Sequence, residues 1–342
     1  MLLRNGFATP APLLAIALVC LLAASVAGQN LASDDTHAAP VTAAPALDGS
    51  GSWVFRQQVN EVTVMFTAMH RGKYVAGLRR QDVQVRDDKQ PPASIVDFRN
   101  EQDLPLRLGL LIDTSGSVKD RFRFETQAAA QFVKRVMDQP SDQAFVAGFS
   151  HQMRLARDFT LDPAAISSAL AILHDDQGDT AVFDSVAHAC QKLASTPGSQ
   201  PVARVLVVIS DGDDNASLFA LKDAEEVAQW DQVTIYSIIT SLPSAFNPLG
   251  GRALEKLAEQ SGGRALYSGS RRQLAKAFTR IQRELRNRYA VSYRPANFKP
   301  DGHFRRIRIV ARRFGKKLHV HARKGYYAHP VIAGLTIAPA SH

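Results

Sequence analysis

The sequence predicts an α/β chain: a doubly wound, mostly parallel sheet with helices on both faces, flanked by a small β module formed from N- and C-terminal segments. Three observations predict it. Apolar runs such as RVLVVISDG (204–212) and VTIYSIIT (233–240) are unbroken, as in strands buried on both faces. They alternate with stretches of helical periodicity, the spacing of a parallel sheet with crossover helices. On either side of this region apolar and basic or polar residues alternate with period two, the pattern of half-buried strands.

Residues 1–28 read as a secretory signal peptide: Arg4, the apolar run PLLAIALVCLLAASVA (12–27) and small residues at Ser25, Ala27 and Gly28. The run is short of the roughly 20 residues a membrane span needs, and an uncleaved anchor is the alternative reading. Val19 before Cys20 is not the small residue that a lipoprotein signal requires. Once the signal is removed, Cys190 is the one remaining cysteine and no intrachain disulfide can form, which suits a secreted, periplasmic or cell-envelope protein of a bacterium. Residues 29–50, rich in Ala, Pro and small polar residues, read as a disordered linker.

Residues 51–104 read as a small β module. Val62, Val64 and Phe66 alternate, RDDKQPP carries turn signals and SIVDF restarts a strand. The α/β region is expected over 105–288. RLGLLID (107–113) and QAFVAGFS (143–150) are strands. RFRFETQAAAQFVKRVM (121–137) is a helix with Phe124, Ala128, Phe132 and Val136 on its apolar stripe. The helix over 181–194 turns Val182, Val186, Ala189 and Leu193 inward; ALEKLAEQSGG (253–263) ends in capping glycines. After the short strand RALY, the basic helix 271–289 buries Leu274, Phe278, Ile281 and Leu285. Residues 289–328 return to β structure. FRRIRIVARR and KKLHVHARK flank Phe314-Gly315, a hairpin signal. Residues 329–342 read as a tail. The two β segments are expected to pack together, since each alone lacks enough core.

The chain carries 41 Lys and Arg against 32 Asp and Glu. The excess is concentrated: Arg271–Lys324 holds eighteen cations against Glu284 and Asp301. Solvated faces of a helix and a hairpin account for such a run, and an acidic envelope surface is the partner it would otherwise suit.

In an open parallel sheet, ligands bind beyond the carboxyl ends of the strands. Two strands end in polar signatures, LLID-TSGS and VVIS-DGDD, and a third polar loop, DDQGDTAVFDS, opens the helix at 181. With strands 107–113 and 204–210 as neighbours, Asp113, Ser115, Ser117, Thr180 and Asp211 converge. Two carboxylates with neutral hydroxyls form an oxygen-only set that suits Mg²⁺, with Mn²⁺ or Ca²⁺ as alternatives. A partner's carboxylate could complete the shell.

These residues resemble the von Willebrand factor type A family. D-T-S-G-S at 113–117 matches its D-x-S-x-S, followed in order by a threonine loop and a later aspartate, over about 106–288. The flanks RYAVSYRP, DGHFRRIRI and KGYYA resemble exported bacterial proteins carrying this domain, including an acidobacterial-type subset. The resemblance implies a metal-ion-dependent adhesion site with Asp113, Ser115 and Ser117 in the first loop, Thr180 in the second and Asp211 in the third. It implies a Mg²⁺-dependent module that captures an acidic group of a partner protein. Neither a specific nucleic acid nor a small-molecule substrate is expected. A surface-binding protein acting through the basic C-terminal third, with a structural metal, is the alternative.

Other constellations fall short. The D-T-G-S loop of aspartic proteases belongs to symmetric β lobes and lacks the extra serine. GFSHQ (148–152) has Gln152 where a nucleophile elbow has glycine, so Ser150 reads as a strand-end serine. DGDDN (211–215) departs from a calcium-binding EF-hand loop at Ala216 and Lys222, which leaves Asp213 and Asp214 as groups supporting the metal ligands from behind or, in preference, as solvated loop residues. His319 and His321 share a strand face without a third ligand and read as exposed; Cys190 reads as a small core residue. The chain is therefore expected to bind rather than catalyse.

Overall fold

The computed structural model describes residues 46–47, 53–54, 61–100, 104–176, 178–195, 202–240 and 248–328. The apolar run 12–27, most of the linker and the tail lie outside the described residues. The chain divides into two units, Met1–Gln57 and Gln58–His342. In the first, β1 (Ala46–Leu47) pairs antiparallel with β2 (Trp53–Val54), so the expected linker ends in a strand. Among the described residues no helix is long and apolar enough to cross a membrane.

The second unit begins with β3 (Val62–His70), β4 (Lys73–Tyr74), β5 (Val83–Asp87) and β6 (Ser94–Asn100). The α/β part follows as β7 (Leu106–Asp113), α1 (Lys119–Val136), β8 (Gln143–Phe149), β9 (Met153–Thr160), α2 (Pro163–Ile172), α3 (Val182–Ala194) and β10 (Ala203–Ser210). It continues through α4 (Leu221–Trp230), β11 (Thr234–Ile239), α5 (Pro248–Ser261), β12 (Ala265–Tyr267) and α6 (Arg271–Leu285). The chain returns to β structure in β13 (Arg288–Arg294), β14 (Phe304–Arg313), β15 (Lys316–Lys317), β16 (His319–Ala322) and β17 (Gly325–Tyr327).

The central sheet runs β12-β11-β10-β7-β8-β9, parallel throughout except for β9, which lies antiparallel on β8. β7 is central because both of its faces are apolar. Leu108, Leu110 and Ile112 enter one core with Phe132, Val133, Phe278 and Ile281, while Leu111 enters the other with Phe145, Val186, Leu206 and Leu254. Gly109 interrupts the run because a Cβ there would lie 2.7 Å from the Phe145 ring and 2.9 Å from Leu206. The mostly parallel, doubly wound architecture expected from the sequence is what forms.

Several details differ. On α1 the buried stripe runs through Phe122, Glu125, Ala129, Phe132, Val133 and Val136, whereas Phe124 and Ala128 are only half-buried. A strict four-residue spacing drifts around a 3.6-residue helix, so the true stripe lies beside the expected one. α6 stops at Leu285, and Arg288–Arg294 is already strand. α5 begins at Pro248, before the expected start.

The flanking strands form two sheets. One runs β16-β3-β13-β6, with β4 on β3; in the other, β14 pairs with β15, β17 and β5. Val64, Phe66, Leu78, Tyr289, Val291, Ile307 and Ile309 fill the space between them. N- and C-terminal segments are therefore interleaved, β3 lying between β13 and β16. The expected hairpin at Phe314-Gly315 exists but is short. Arg312–Lys317 and Arg313–Lys316 pair, after which β16 crosses to β3 in the other sheet. Inside the sandwich, Asp87 Oδ2 accepts the hydroxyls of both Tyr293 and Tyr326 at 2.9 Å.

His321 corrects its expected exposure. Its Nε2 lies 2.8 Å from the Gly263 carbonyl oxygen and 3.9 Å from Glu284, and burial pulls its pKa down. His319 is exposed as expected, and Cys190 is fully buried in the core.

Candidate metal-binding site

Three loops meet at the carboxyl edge of the central sheet. β7 and β10 are neighbours in a register that pairs Ile112 with Ile209, so Asp113 and Ser210 follow side by side. Asp113 is fully buried. Its Oδ1 accepts from the Ser115 backbone N–H at 2.9 Å and from Ser115 Oγ at 2.6 Å; its Oδ2 accepts from Ser210 Oγ at 2.6 Å. Burial pushes its pKa up to about 6, against the pull of these hydrogen bonds, and the Asp211 charge adds to the rise. A shift of that size costs about 3 kcal/mol. The four fully buried side chains Leu108, Leu110, Leu111 and Ile112 contribute about 6–12 kcal/mol, enough to hold the strand end that buries the carboxyl.

Thr114 anchors the first loop. Its N–H and its hydroxyl both donate to the Phe149 carbonyl, at 2.8 and 2.9 Å, and tie the first loop to β8. Ser150, the residue after β8, continues the chain of contacts, its carbonyl accepting from Ala181 N–H at 2.7 Å. Thr180, buried beside it, donates its N–H to Asn215 Oδ1 at 2.7 Å and accepts at its carbonyl from Asn215 and Ala216. The second and third loops are thereby latched together. Ser117 lies in the 3₁₀ turn Gly116–Val118, and its side chain is outside the described residues.

Asp211 follows β10 directly and is buried, with Arg121 Nη2 3.5 Å from its Oδ2. Arg121 also donates to the Thr240 carbonyl at 2.9 Å. Glu125, one turn along α1, is fully buried 3.9 Å from the Arg121 guanidinium; burial raises its pKa to about 7, with Arg121 opposing the rise. Asp213 and Asp214 are not the solvated pair expected from the sequence. Asp214 Oδ1 accepts from Val182 N–H at 2.8 Å and Ser217 Oγ at 2.6 Å, closing the start of α3. Asp213 Oδ1 is buried without a hydrogen-bond partner among the described residues, and burial followed by the Asp211 charge raises its pKa. Sequence reasoning also missed Ser210, Arg121 and Glu125. The strand register with Asp113 was the available signal for Ser210; Arg121 and Glu125 sit on a helix with nothing local to distinguish them.

The third loop is pinned from behind. Gly212 has φ +89°, and a Cβ on it would lie 2.5 Å from the Gly250 carbonyl carbon. The first turn of α5 therefore packs backbone to backbone on the loop that carries Asp211.

The donor chemistry fits a hard divalent cation. The groups gathered here are carboxylates and hydroxyls, with repulsion between Asp113 and Asp211 and an unpartnered buried oxygen on Asp213. Among the described residues no group of three or more His, Cys, Asp or Glu is arranged as a metal site, so a cation here would have to draw on hydroxyls as well as on Asp113 and Asp211.

Comparison with solved structures gives likenesses of low identity. The PilB minor pilin from Streptococcus sanguinis is 14% identical with a TM-score of 0.44, over 58% of this chain and 63% of that one. The chain thus spans less than two thirds of that pilin. The von Willebrand factor domain of the type V pili tip protein Mfa5 from Porphyromonas gingivalis is 13% identical with a TM-score of 0.43, over 52% of this chain and 94% of that one. A von Willebrand factor type A protein from Catenulispora acidiphila is 13% identical with a TM-score of 0.43, over 72% of this chain and 74% of that one. Comparison with curated proteins gives no match. The family assignment rests on sequence: the model of the von Willebrand factor type A domain matches residues 108–280, half of the chain. The chain belongs to the von Willebrand factor type A domain family.

Proposed function

We propose that this is an exported protein-binding module of the adhesion type, with Asp113, Ser115, Ser117, Thr180 and Asp211 holding Mg²⁺. Bound there, the cation would supply a coordination position for a carboxylate of a partner protein. The observation that carries the reading is the placement of Asp113 and Asp211 at the ends of adjacent buried strands, where the Asp211 charge adds to the cost of ionising Asp113. Ser115 and Ser210 hold the Asp113 carboxylate in one orientation, and the hydrogen bonds with Asn215 fix the Thr180 loop against the Asp211 loop. Arg121 places a cation against this set, its Nη2 3.5 Å from Asp211 Oδ2.

Binding rather than catalysis is the favoured reading. Ser150 Oγ is 3.3 Å from His151 Nδ1, but Ser150 is buried while His151 is exposed, an arrangement ill suited to activating a nucleophile. Export is supported by the basic start and apolar run of residues 1–28.

The test is a pull-down from envelope extract using wild type and Asp113→Ala, each with Mg²⁺ and with EDTA. Partners retained by wild type in Mg²⁺ alone support the proposal. The same partners in all four conditions overturn it.

A further inference from the structure

The tip of the β14–β15 hairpin carries a large apolar side chain that no core buries. Phe314 is 90% exposed, and its backbone sits at φ +47° with Gly315 following at φ +74°. A two-residue turn with both φ values positive favours Asn-Gly, because a bulky side chain is strained in the left-handed region. Within the chain the ring meets the Arg313 guanidinium, 5.3 Å from its centroid, an exposed contact too weak to offset the loss of both backbone fitness and burial.

Its surroundings point to a reason outside the folded chain. Arg312 and Arg313 precede the turn, Lys316 and Lys317 follow it, and the two pairs face each other across the hairpin. Like charges paired across strands destabilise a hairpin. The pattern continues down the outer face of the sheet. Arg306, Arg308 and Arg312 are exposed on one face of β14, with Val310 between the last two, and Arg308 lies directly opposite Arg86 on β5. Among the described residues Arg86, Arg308, Arg312 and Lys317 form no ion pair, while Asp88 accepts the Arg306 backbone N–H at 2.9 Å; all five border an open groove of about 900 Å³.

We infer that this hairpin tip and its arginine face dock on an anionic lipid bilayer, Phe314 entering the headgroup boundary while the cations engage lipid phosphates. An apolar aromatic tip ringed by cations is the combination an interface selects, since the ring leaves water as the charges remain at headgroup level. A soluble polyanion would engage the arginine row and leave a fully exposed phenylalanine without a role. The inference is independent of the metal site: it uses a different structural module and needs no divalent ion.

The test is co-sedimentation of the full chain with vesicles of phosphatidylcholine alone and of phosphatidylcholine with phosphatidylglycerol, in EDTA, at low and high salt. The apolar run 12–27 is common to every variant, so the excess binding to anionic over neutral vesicles reads the hairpin. Phe314→Asn fits the turn better and should keep or raise Tm while lowering that excess. Arg308→Gln with Arg312→Gln relieves like-charge pairs and should lower the excess about fivefold per arginine, from the roughly 1 kcal/mol each cation contributes near an anionic surface. High salt should reduce wild-type binding likewise. Vesicle binding unchanged in both variants overturns the inference. So does loss of both vesicle and heparin binding in the arginine variant with Phe314→Asn unaffected, which would make the face a polyanion groove.

Discussion

Ser210 Oγ donates to Asp113 Oδ2 at 2.6 Å, joining the last residue of one buried strand to the last residue of its neighbour. Ser210→Ala leaves a buried carboxylate oxygen without its donor, which costs about 1–3 kcal/mol. The variant should melt at lower temperature and bind Mg²⁺ more weakly by titration calorimetry, because the carboxylate loses one of the bonds fixing its orientation. Unchanged Mg²⁺ affinity would show that Ser210 acts on stability only.

With Mg²⁺ bound as proposed, Arg121 would compete with the cation for Asp211. Arg121→Gln removes the guanidinium 3.5 Å from the carboxylate and keeps a polar group near the Thr240 carbonyl. Mg²⁺ should then bind severalfold more tightly, with the gain shrinking as ionic strength rises. An affinity that falls instead would mean that Arg121 positions the loop rather than opposing the ion.

The contact between Gly212 and Gly250 leaves no room for a methyl group. A Cβ at position 250 would lie 2.2 Å from the Gly212 carbonyl oxygen, so Gly250→Ala must push α5 away from the loop holding Asp211. Both Tm and Mg²⁺ affinity should drop. Gly178→Ala, where a Cβ meets nothing within 4 Å, serves as the control in the second loop and should leave Tm near wild type.

Asp231, at the end of α4, titrates far from the site. Burial raises its carboxyl from 3.8 to about 6, with Arg204 opposing the rise. A raised carboxyl pKa means that the folded state holds the proton more tightly than the unfolded chain. Its contribution to stability is therefore complete below about pH 4 and lost as pH rises through 6. Asp231→Asn should match wild type in Tm at pH 4 and exceed it at pH 7. A difference that is the same at both values would exclude titration as the cause.

Much of this was legible in the chain, for physical reasons that also mark where legibility ends. Strands buried on both faces announce themselves as unbroken apolar runs, which is why β7, β10 and β11 read correctly. β9 could not be read that way: it is an edge strand whose residues are mostly exposed and partly charged, so it has no apolar pattern. α2 was missed although Asp162 caps it through the Ala164 N–H and Pro163 opens it, a start signal short enough to pass for a turn. The aspartates and hydroxyls of the candidate site were proposed from the sequence because Asp113, Ser115 and Ser117 follow a fixed spacing. Ser210, Arg121 and Glu125 gain their places from strand register and helix packing, which are relations between distant segments.

The interleaving of β3 with β13 and β16 has a consequence for the order in which the molecule can be made. The strand beginning at Val62 lacks both of its long neighbours until residues 288–322 exist. An N-terminal segment must wait, unpaired, while the whole α/β part is synthesised. Loop-closure entropy grows slowly with length, so this separation burdens the finished fold little, but it delays the sandwich kinetically. Premature release of a chain ending before β13 would leave an apolar strand with an open edge, the natural substrate for a holdase or a protease.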